Sequence, residues 1–183
     1  MNLIETIKRK IRINSSKYSW KYDLVKSYGS KYGCRILVET GTFLGDMVYS
    51  QRDNFDRIYT IELSDKLYFK SLDFLFENGI NCFYGDSAIM LPQILRVVDA
   101  PTLFWLDAHY SGWITAKSEP PIIKELTAIL GHHLASNHVI LIDDISLYNG
   151  GIDNIKSLLS GRNSANYITN DILVSVPIEC ALS

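Results

Sequence analysis

The chain of 183 residues predicts an α/β fold: a three-layer sandwich around a mostly parallel seven-stranded sheet that closes with an antiparallel hairpin. Three observations carry this. Short β-branched runs alternate with helical stretches along residues 36–142. Each of those runs ends at or beside a carboxylate: Glu39, Glu62, Asp86, Asp107, then Asp143 with Asp144. The last two strand-like runs, 167–169 and 172–176, are separated by Asn170-Asp171, a hairpin turn signal.

Residues 2–12 read as an amphipathic helix with Leu3, Ile4, Ile7 and Ile11 on one face, and 16–28 as a second helix carrying Tyr18, Trp20, Tyr22, Leu24 and Val25. Residues 1–33 form an N-terminal helical arm, and 34–183 form the main domain. Gly29 and Gly33 punctuate the way into strand one at 36–38, which is apolar enough to be buried on both faces. Gly41 and Gly45 bracket a tight turn that opens a helix at Asp46 running to about Arg52. Strand two covers 57–63 and the helix 65–77 stops at Asn78-Gly79, a C-cap pair. Strand three, 81–84, closes on Gly85-Asp86-Ser87 before a helix over 87–97. Strand four, 102–106, leads into Asp107, and a loop through Pro120-Pro121 starts the helix 122–130. Strand five, 138–142, and the helix 152–160 precede the hairpin. The aromatic series Tyr59, Tyr68, Phe69, Phe74, Phe76, Phe83, Phe104 and Trp105 reads as core, while His132, His133 and His138 read as surface or helix-end residues.

Composition is that of a soluble globular protein, with 47% apolar and 21% charged residues. The apolar runs are strand length, so no transmembrane segment is expected. The basic N-terminus lacks the apolar region and cleavage site of a secretory signal. Three cysteines without close pairs, Cys34, Cys82 and Cys180, indicate neither a disulfide framework nor a zinc knuckle, which suits a cytoplasmic protein. Charge is lopsided: residues 1–35 hold nine Lys/Arg against Glu5 and Asp23, a net of +7, and the remainder carries −9. Such an arm is either a solvated helical face or a docking surface. No RNA-binding aromatic motif or helix-turn-helix pattern accompanies it, so a nucleic-acid partner is not expected.

In parallel α/β sheets, ligands bind outside the carboxyl ends of the strands. A strand, a glycine turn and a helix start at 36–46 make a place for a nucleotide-like ligand, because Gly41 lets it lie against the main chain. Thr40, Thr42 and Phe43 complete that turn. Glu62, with Leu63 beside it, lies about twenty residues further on, where a carboxylate binds both ribose hydroxyls of an adenosine. A surface salt bridge or a helix cap is its other reading. Asp86 with Ser87 reads equally as an adenine contact or as the cap of the next helix. Phe43 stands where a dinucleotide fingerprint has its second glycine and would crowd a pyrophosphate, so the ligand suggested is an adenosine without phosphates.

Over roughly residues 35–176 the sequence resembles the class I S-adenosylmethionine-dependent methyltransferases, whose sheet is Rossmann-like. It is most similar to the metal-dependent O-methyltransferases of the catechol and caffeoyl-coenzyme A type. Their acid, glycine, aromatic and glycine at alternate positions are matched by Glu39, Gly41, Phe43 and Gly45; their Leu-Asp after strand four is matched by Leu106-Asp107. Their Asp-Asn after strand five, with a hydrophobe-aromatic-Asn-Gly run beyond it, corresponds to Asp143-Asp144 and Leu147-Tyr-Asn-Gly150, Asp144 replacing the asparagine. The resemblance implies that Asp107, Asp143 and Asp144 hold a divalent metal. It also implies that residues 34–183 bind S-adenosylmethionine and transfer its methyl group to a small hydroxylated acceptor. The lysine those enzymes carry after the strand-four aspartate is absent, and His109-Tyr110 stands there.

Three oxygen ligands completed by water suit Mg²⁺ or Mn²⁺ rather than zinc. The other reading has Asp107 alone orienting the methionine amine, with Asp143 and Asp144 capping and hydrogen-bonding. His109 has the pKa class of a general base for the acceptor hydroxyl, or packs beside the pocket. Trp113 either walls the acceptor pocket or packs at the surface. No separate acceptor domain is visible, so the pocket is completed by residues 1–30, by the 111–121 loop, or by a second copy of the chain. A cofactor-binding module without turnover, a metal-free N- or C-methyltransferase and a nicotinamide oxidoreductase are the rival functions, Phe43 counting against the last.

Overall fold

Strand β1, Ile36–Thr40, is buried along its whole length because both its faces are covered. The computed structural model describes residues 19–107, 121–148 and 150–178. Around β1 lie β2 (Arg57–Glu62), β3 (Ile80–Tyr84), β4 (Thr102–Leu106), β5 (Val139–Ile142), β6 (Ser164–Thr169) and β7 (Ile172–Pro177), in the order β3-β2-β1-β4-β5-β7-β6. The first five pair in parallel; β7 runs antiparallel to β5 and β6. The expected seven-stranded sheet with its closing hairpin is therefore present.

A helix over residues 19–31, α1, begins where the described chain begins. It is followed by α2 (Asp46–Ser50), α3 (Asp65–Glu77), α4 (Ser87–Leu95), α5 (Ile122–Leu130) and α6 (Ile152–Ser160). Alternate side chains of each strand face opposite layers. Ile36, Val38, Phe104 and Ile140 pack with Leu91, Leu126 and Ile155 of α4, α5 and α6. Leu37, Leu103, Trp105 and Leu141 pack with Val25, Val48 and Phe74 of α1, α2 and α3. Caps fix the helix starts: Ser64 accepts from the amide of Leu67, and Asp86 from that of Ala88. Among the described residues no helix is long and apolar enough to cross a membrane.

The hairpin turns where expected. Asn170 (φ 46°) and Asp171 (φ 64°) both adopt left-handed backbone, the pair a two-residue type I′ turn needs. Asp171 also reaches back to the segment after β5. Its carbonyl accepts from Ile145 N at 2.9 Å, and its carboxylate from Ser146 N at 2.9 Å and Ser146 Oγ at 2.7 Å.

Three expectations need correction. Phe69 and Phe76 are 70% and 79% exposed rather than core, because α3 turns only Phe74 and Leu75 of that stretch onto the sheet. Strand β6 starts at Ser164, three residues earlier than expected, since an edge strand tolerates the polar Ser164-Ala-Asn. His138 is fully buried rather than at the surface. Its Nδ1 accepts from Thr102 N at 3.2 Å and its Nε2 faces His132 Nδ1 at 2.8 Å, so Nδ1 carries no proton and Nε2–H donates to His132. Helix 2–12 and the beginning of the predicted 16–28 helix lie outside the described residues.

Burial, helped by the fields of His132 and Arg162, pushes His138 down to about 3. An unfolded histidine binds its proton near pH 6.5. Between those values the unfolded chain holds more protons, so folding stability falls as pH drops through this window. The loss across the whole window has an upper bound of about 5 kcal/mol. Denaturant unfolding at pH 7 and pH 4 measures it. His138→Asn, whose amide oxygen accepts from Thr102 without titrating, should show a flatter profile than the wild type.

Candidate active site

The register of the five parallel strands brings their ends into one row. Thr40 of β1 pairs with Ile61 of β2 and Leu106 of β4; Ile61 pairs with Phe83, and Leu106 with Ile142. The next residue along each strand is therefore Gly41, Glu62, Asp107, Tyr84 and Asp143, all at the carboxyl edge. Backbone bonds continue the row past the strands: Gly41 N to Ile61 O at 2.9 Å, Asp107 N to Thr40 O at 3.0 Å and Asp143 N to Leu106 O at 3.0 Å. Sheet order reverses direction between β1 and β4, which is where a crevice opens for a ligand.

The glycine turn is held from beneath. Gly41 (φ 90°) and Gly45 (φ 79°) take left-handed angles, and a Cβ on Gly45 would lie 2.7 Å from Leu75 Cδ2. Phe43 (φ 50°) adopts the same region without being glycine, which stores roughly 1–2 kcal/mol of strain in the turn. Glu62 supplies the compensation: Oε2 accepts from Phe43 N and Oε1 from Ser64 N, each at 2.8 Å. It is neither a surface salt-bridge partner nor a side-chain cap in these contacts. Each oxygen keeps a lone pair for a further donor.

Glu39 lies two residues before Gly41 on β1, 2% exposed, and accepts from Thr60 Oγ1 at 2.6 Å. Thr60 Oγ1 also contacts Thr42 Oγ1 at 2.6 Å, tying the acid to the turn. Burial raises the Glu39 pKa well above the usual carboxylate range, Thr60 opposes this, and the neighbouring Asp107, Glu62 and Asp46 add to it. Ser87 is buried, and Asp86 caps α4, so the capping reading of Asp86 is realised whatever else it binds. Leu63 is 64% exposed and Phe43 58% exposed, both apolar surfaces at the rim.

One carboxylate oxygen each from Asp107, Asp143 and Asp144 lies within 4.8 Å of the others. Asp144 (φ 46°) is left-handed, a region aspartate and asparagine tolerate better than most residues. The sequence did not disclose the cation beside them. Lys21 of α1 places Nζ 2.5 Å from Asp143 Oδ2 and 3.7 Å from Asp144 Oδ1. Burial works against the ammonium, but the hydrogen bond to Asp143 and the fields of Asp143, Asp144 and Asp107 hold its pKa above normal. Asp143 moves opposite to what an ion pair alone would give: burial, with Asp107 and Asp144, pushes it up to about 6 although Lys21 pulls it down. Both groups are then charged at neutral pH.

Two more buried residues went unforeseen. Glu125 of α5 is 1% exposed; burial pushes it up to about 7 despite Ser87 and Thr40 beside it. Tyr148 is buried near the acids, and burial together with the fields of Glu125, Asp107, Asp143 and Asp144 raises its pKa. A glutamate at an apolar helix position, Ile-Ile-Lys-Glu-Leu, was the available signal for the first. His109, Tyr110, Trp113 and the loop through residue 120 lie outside the described residues. A recess of about 450 Å³ lined by Pro92, Arg96, Thr127, His132 and His133 adjoins the far ends of α4 and α5 and contains none of these acids.

No protein-family model matches the chain, and no curated protein matches it. Solved structures do. The O-methyltransferase TomG from Streptomyces achromogenes, involved in tomaymycin synthesis and in complex with S-adenosylmethionine, superimposes with a TM-score of 0.62. It is 19% identical, with 86% of this chain and 80% of that one covered. The O-methyltransferase from Bacillus cereus in complex with S-adenosylhomocysteine gives 0.64 at 14% identity, covering 94% and 90%. The methyltransferase PaMTH1 of Podospora anserina, bound to S-adenosylhomocysteine, gives 0.61 at 13% identity, covering 98% and 88%. At these identities the shared property is the fold, the Rossmann-like methyltransferase sheet with its antiparallel C-terminal hairpin.

Glu62 anchors the turn through two backbone amides. Glu62→Ala should cost about 2 kcal/mol of folding stability and speed amide exchange at Phe43. Denaturant unfolding with hydrogen-exchange mass spectrometry checks both.

Proposed function

We propose that the protein is a methyltransferase that moves a methyl group from S-adenosylmethionine to the oxygen of a small hydroxylated acceptor. The observation that carries this is the single row of Gly41, Glu62, Asp107 and Asp143 at the switch point, beside a glycine turn that Phe43 closes to pyrophosphate. Folds of this shape bound to S-adenosylmethionine or its product support the reading.

The roles follow from position. Glu39 and the backbone at Thr40, Gly41 and Thr42 hold the methionine end, with Asp107 receiving its amine. Glu62 accepts from the ribose hydroxyls while keeping its amide donors, Leu63 and Phe43 lie against the nucleoside, and Asp86 with Ser87 meets the adenine edge. The acceptor oxygen takes the methyl as the carbon–sulfur bond breaks, leaving neutral S-adenosylhomocysteine. The acceptor proton goes to His109 or to solvent. Because the sulfonium is already a good leaving group, the protein's main work is in-line alignment.

The donor set fits a divalent cation in kind: Asp107, Asp143 and Asp144 offer hard oxygen ligands that suit Mg²⁺ or Mn²⁺. Such an ion, when bound, would lower the pKa of the acceptor hydroxyl. The Lys21 ammonium within the cluster favours a second version, a metal-free transferase in which Lys21 supplies the positive charge. Free Cys34 and Cys82 accord with a cytoplasmic setting.

Titration calorimetry on metal-replete protein should show binding of S-adenosylmethionine and S-adenosylhomocysteine; absence of both would sink the proposal. Asp107→Asn should weaken that binding roughly tenfold or more. For the metal-assisted version, methyl transfer should be lost with EDTA and in Asp144→Ala. Normal rates in both would select the metal-free one.

A further inference from the structure

Helix α1 presents Lys21, Val25 and Gly29 to the sheet at successive turns. Val25 is fully buried, and a Cβ on Gly29 would lie 2.6 Å from the Phe55 ring. Gln51 Nε2 donates to the Tyr22 carbonyl at 3.0 Å, and the Tyr28 hydroxyl contacts that of Tyr167. These contacts seat the helix at one height on the domain. They leave the Lys21 side chain 15% exposed, turned inward onto an Asp143 that is 3% exposed. A lysine on a helix normally extends its ammonium into water. This one is committed to the acid cluster instead.

Resting on the reading of the three aspartates as a cation site, we propose that Lys21 and a divalent metal ion are alternative occupants of the Asp107–Asp143–Asp144 cluster. Lys21 holds the carboxylates together in the metal-free protein, and a metal ion enters only when the ammonium leaves Asp143. The reason is geometric and electrostatic. A bound Mg²⁺ or Mn²⁺ would need an Asp143 oxygen at about 2.1 Å, while the ammonium sits 2.5 Å from Oδ2 of the same carboxylate and 3.7 Å from Asp144. Two cations sharing these ligands repel strongly in a partly buried site. Lys21 is thus a positioning residue that sets metal affinity and couples it to α1.

Binding of Mn²⁺ alone, followed by the electron paramagnetic resonance signal of the free ion, tests this on the full chain. K21M should bind Mn²⁺ roughly tenfold or more tightly than the wild type, and K21R should stay near the wild type. A purely structural lysine predicts no gain in K21M. Should K21M not fold, the wild type still decides: saturating Mn²⁺ should accelerate acylation of Lys21 several-fold, read by peptide mass spectrometry. Equal Mn²⁺ affinity in wild type and K21M, or unchanged Lys21 labelling at Mn²⁺ saturation, overturns mutual exclusion while leaving the cation site standing. No Mn²⁺ binding to any of the three proteins overturns both.

Discussion

Everything at the candidate site depends on the register that β1 keeps with its two parallel neighbours. A slip of one residue against β2 or β4 would turn every side chain on the slipped strand to the opposite face. Glu39 would leave Thr60, and Glu62 would no longer reach the amide of Phe43. The two apolar layers enforce the register, because Ile36 and Val38 must meet one set of helices while Leu37 meets the other. The same packing that builds the core therefore aligns the acids.

That alignment creates an electrostatic problem, which the chain solves locally. Buried carboxylates without partners are unfavourable. Glu39 is given a hydroxyl, Glu62 two backbone amides, and Asp143 an ammonium. Ser64 follows Glu62 on its own segment, but Thr60 comes from β2, Phe43 from the glycine turn and Lys21 from α1, so each acid ties at least two elements together. The row of acids is consequently held in place by the chain's own donors.

The parts of the molecule legible in the sequence are those governed by local rules. Helices 65–77, 122–130 and 152–160 match α3, α5 and α6: Ser64 caps α3, Pro121 precedes α5 with Gly131 after it, and Gly151 and Gly161 bracket α6. Strand four was likewise plain in Thr-Leu-Phe-Trp-Leu. Acids at the strand ends were visible too, since strand ends can be counted. What the sequence hid were facts of tertiary packing. His138 follows a polar Ser-Asn pair and reads as surface, yet the first residue of β4 needs an acceptor for Thr102 N and draws it inside. Phe69 and Phe76 read as core because they are apolar, although they stand outside the inward stripe of α3. Lys21 was counted into a basic arm; only its spacing from Val25 and Gly29 marked it as inward, and nothing local named its partners.

The clamp between Asp171 and the Ile145-Ser146 segment has a bearing on biosynthesis. Asp143 and Asp144 stand immediately before that segment, and Asp171 sits at the turn that leads into β7, which lies between β5 and β6. A ribosome emits the chain from its amino end, so β1 to β5 emerge while the stretch that pins these two aspartates is still missing. The acidic pair thus gains its final support only once residues 171–177 have been made and folded back. A nascent or prematurely terminated chain would carry β1 to β5 and their glycine turn but lack the clamp behind the acidic pair.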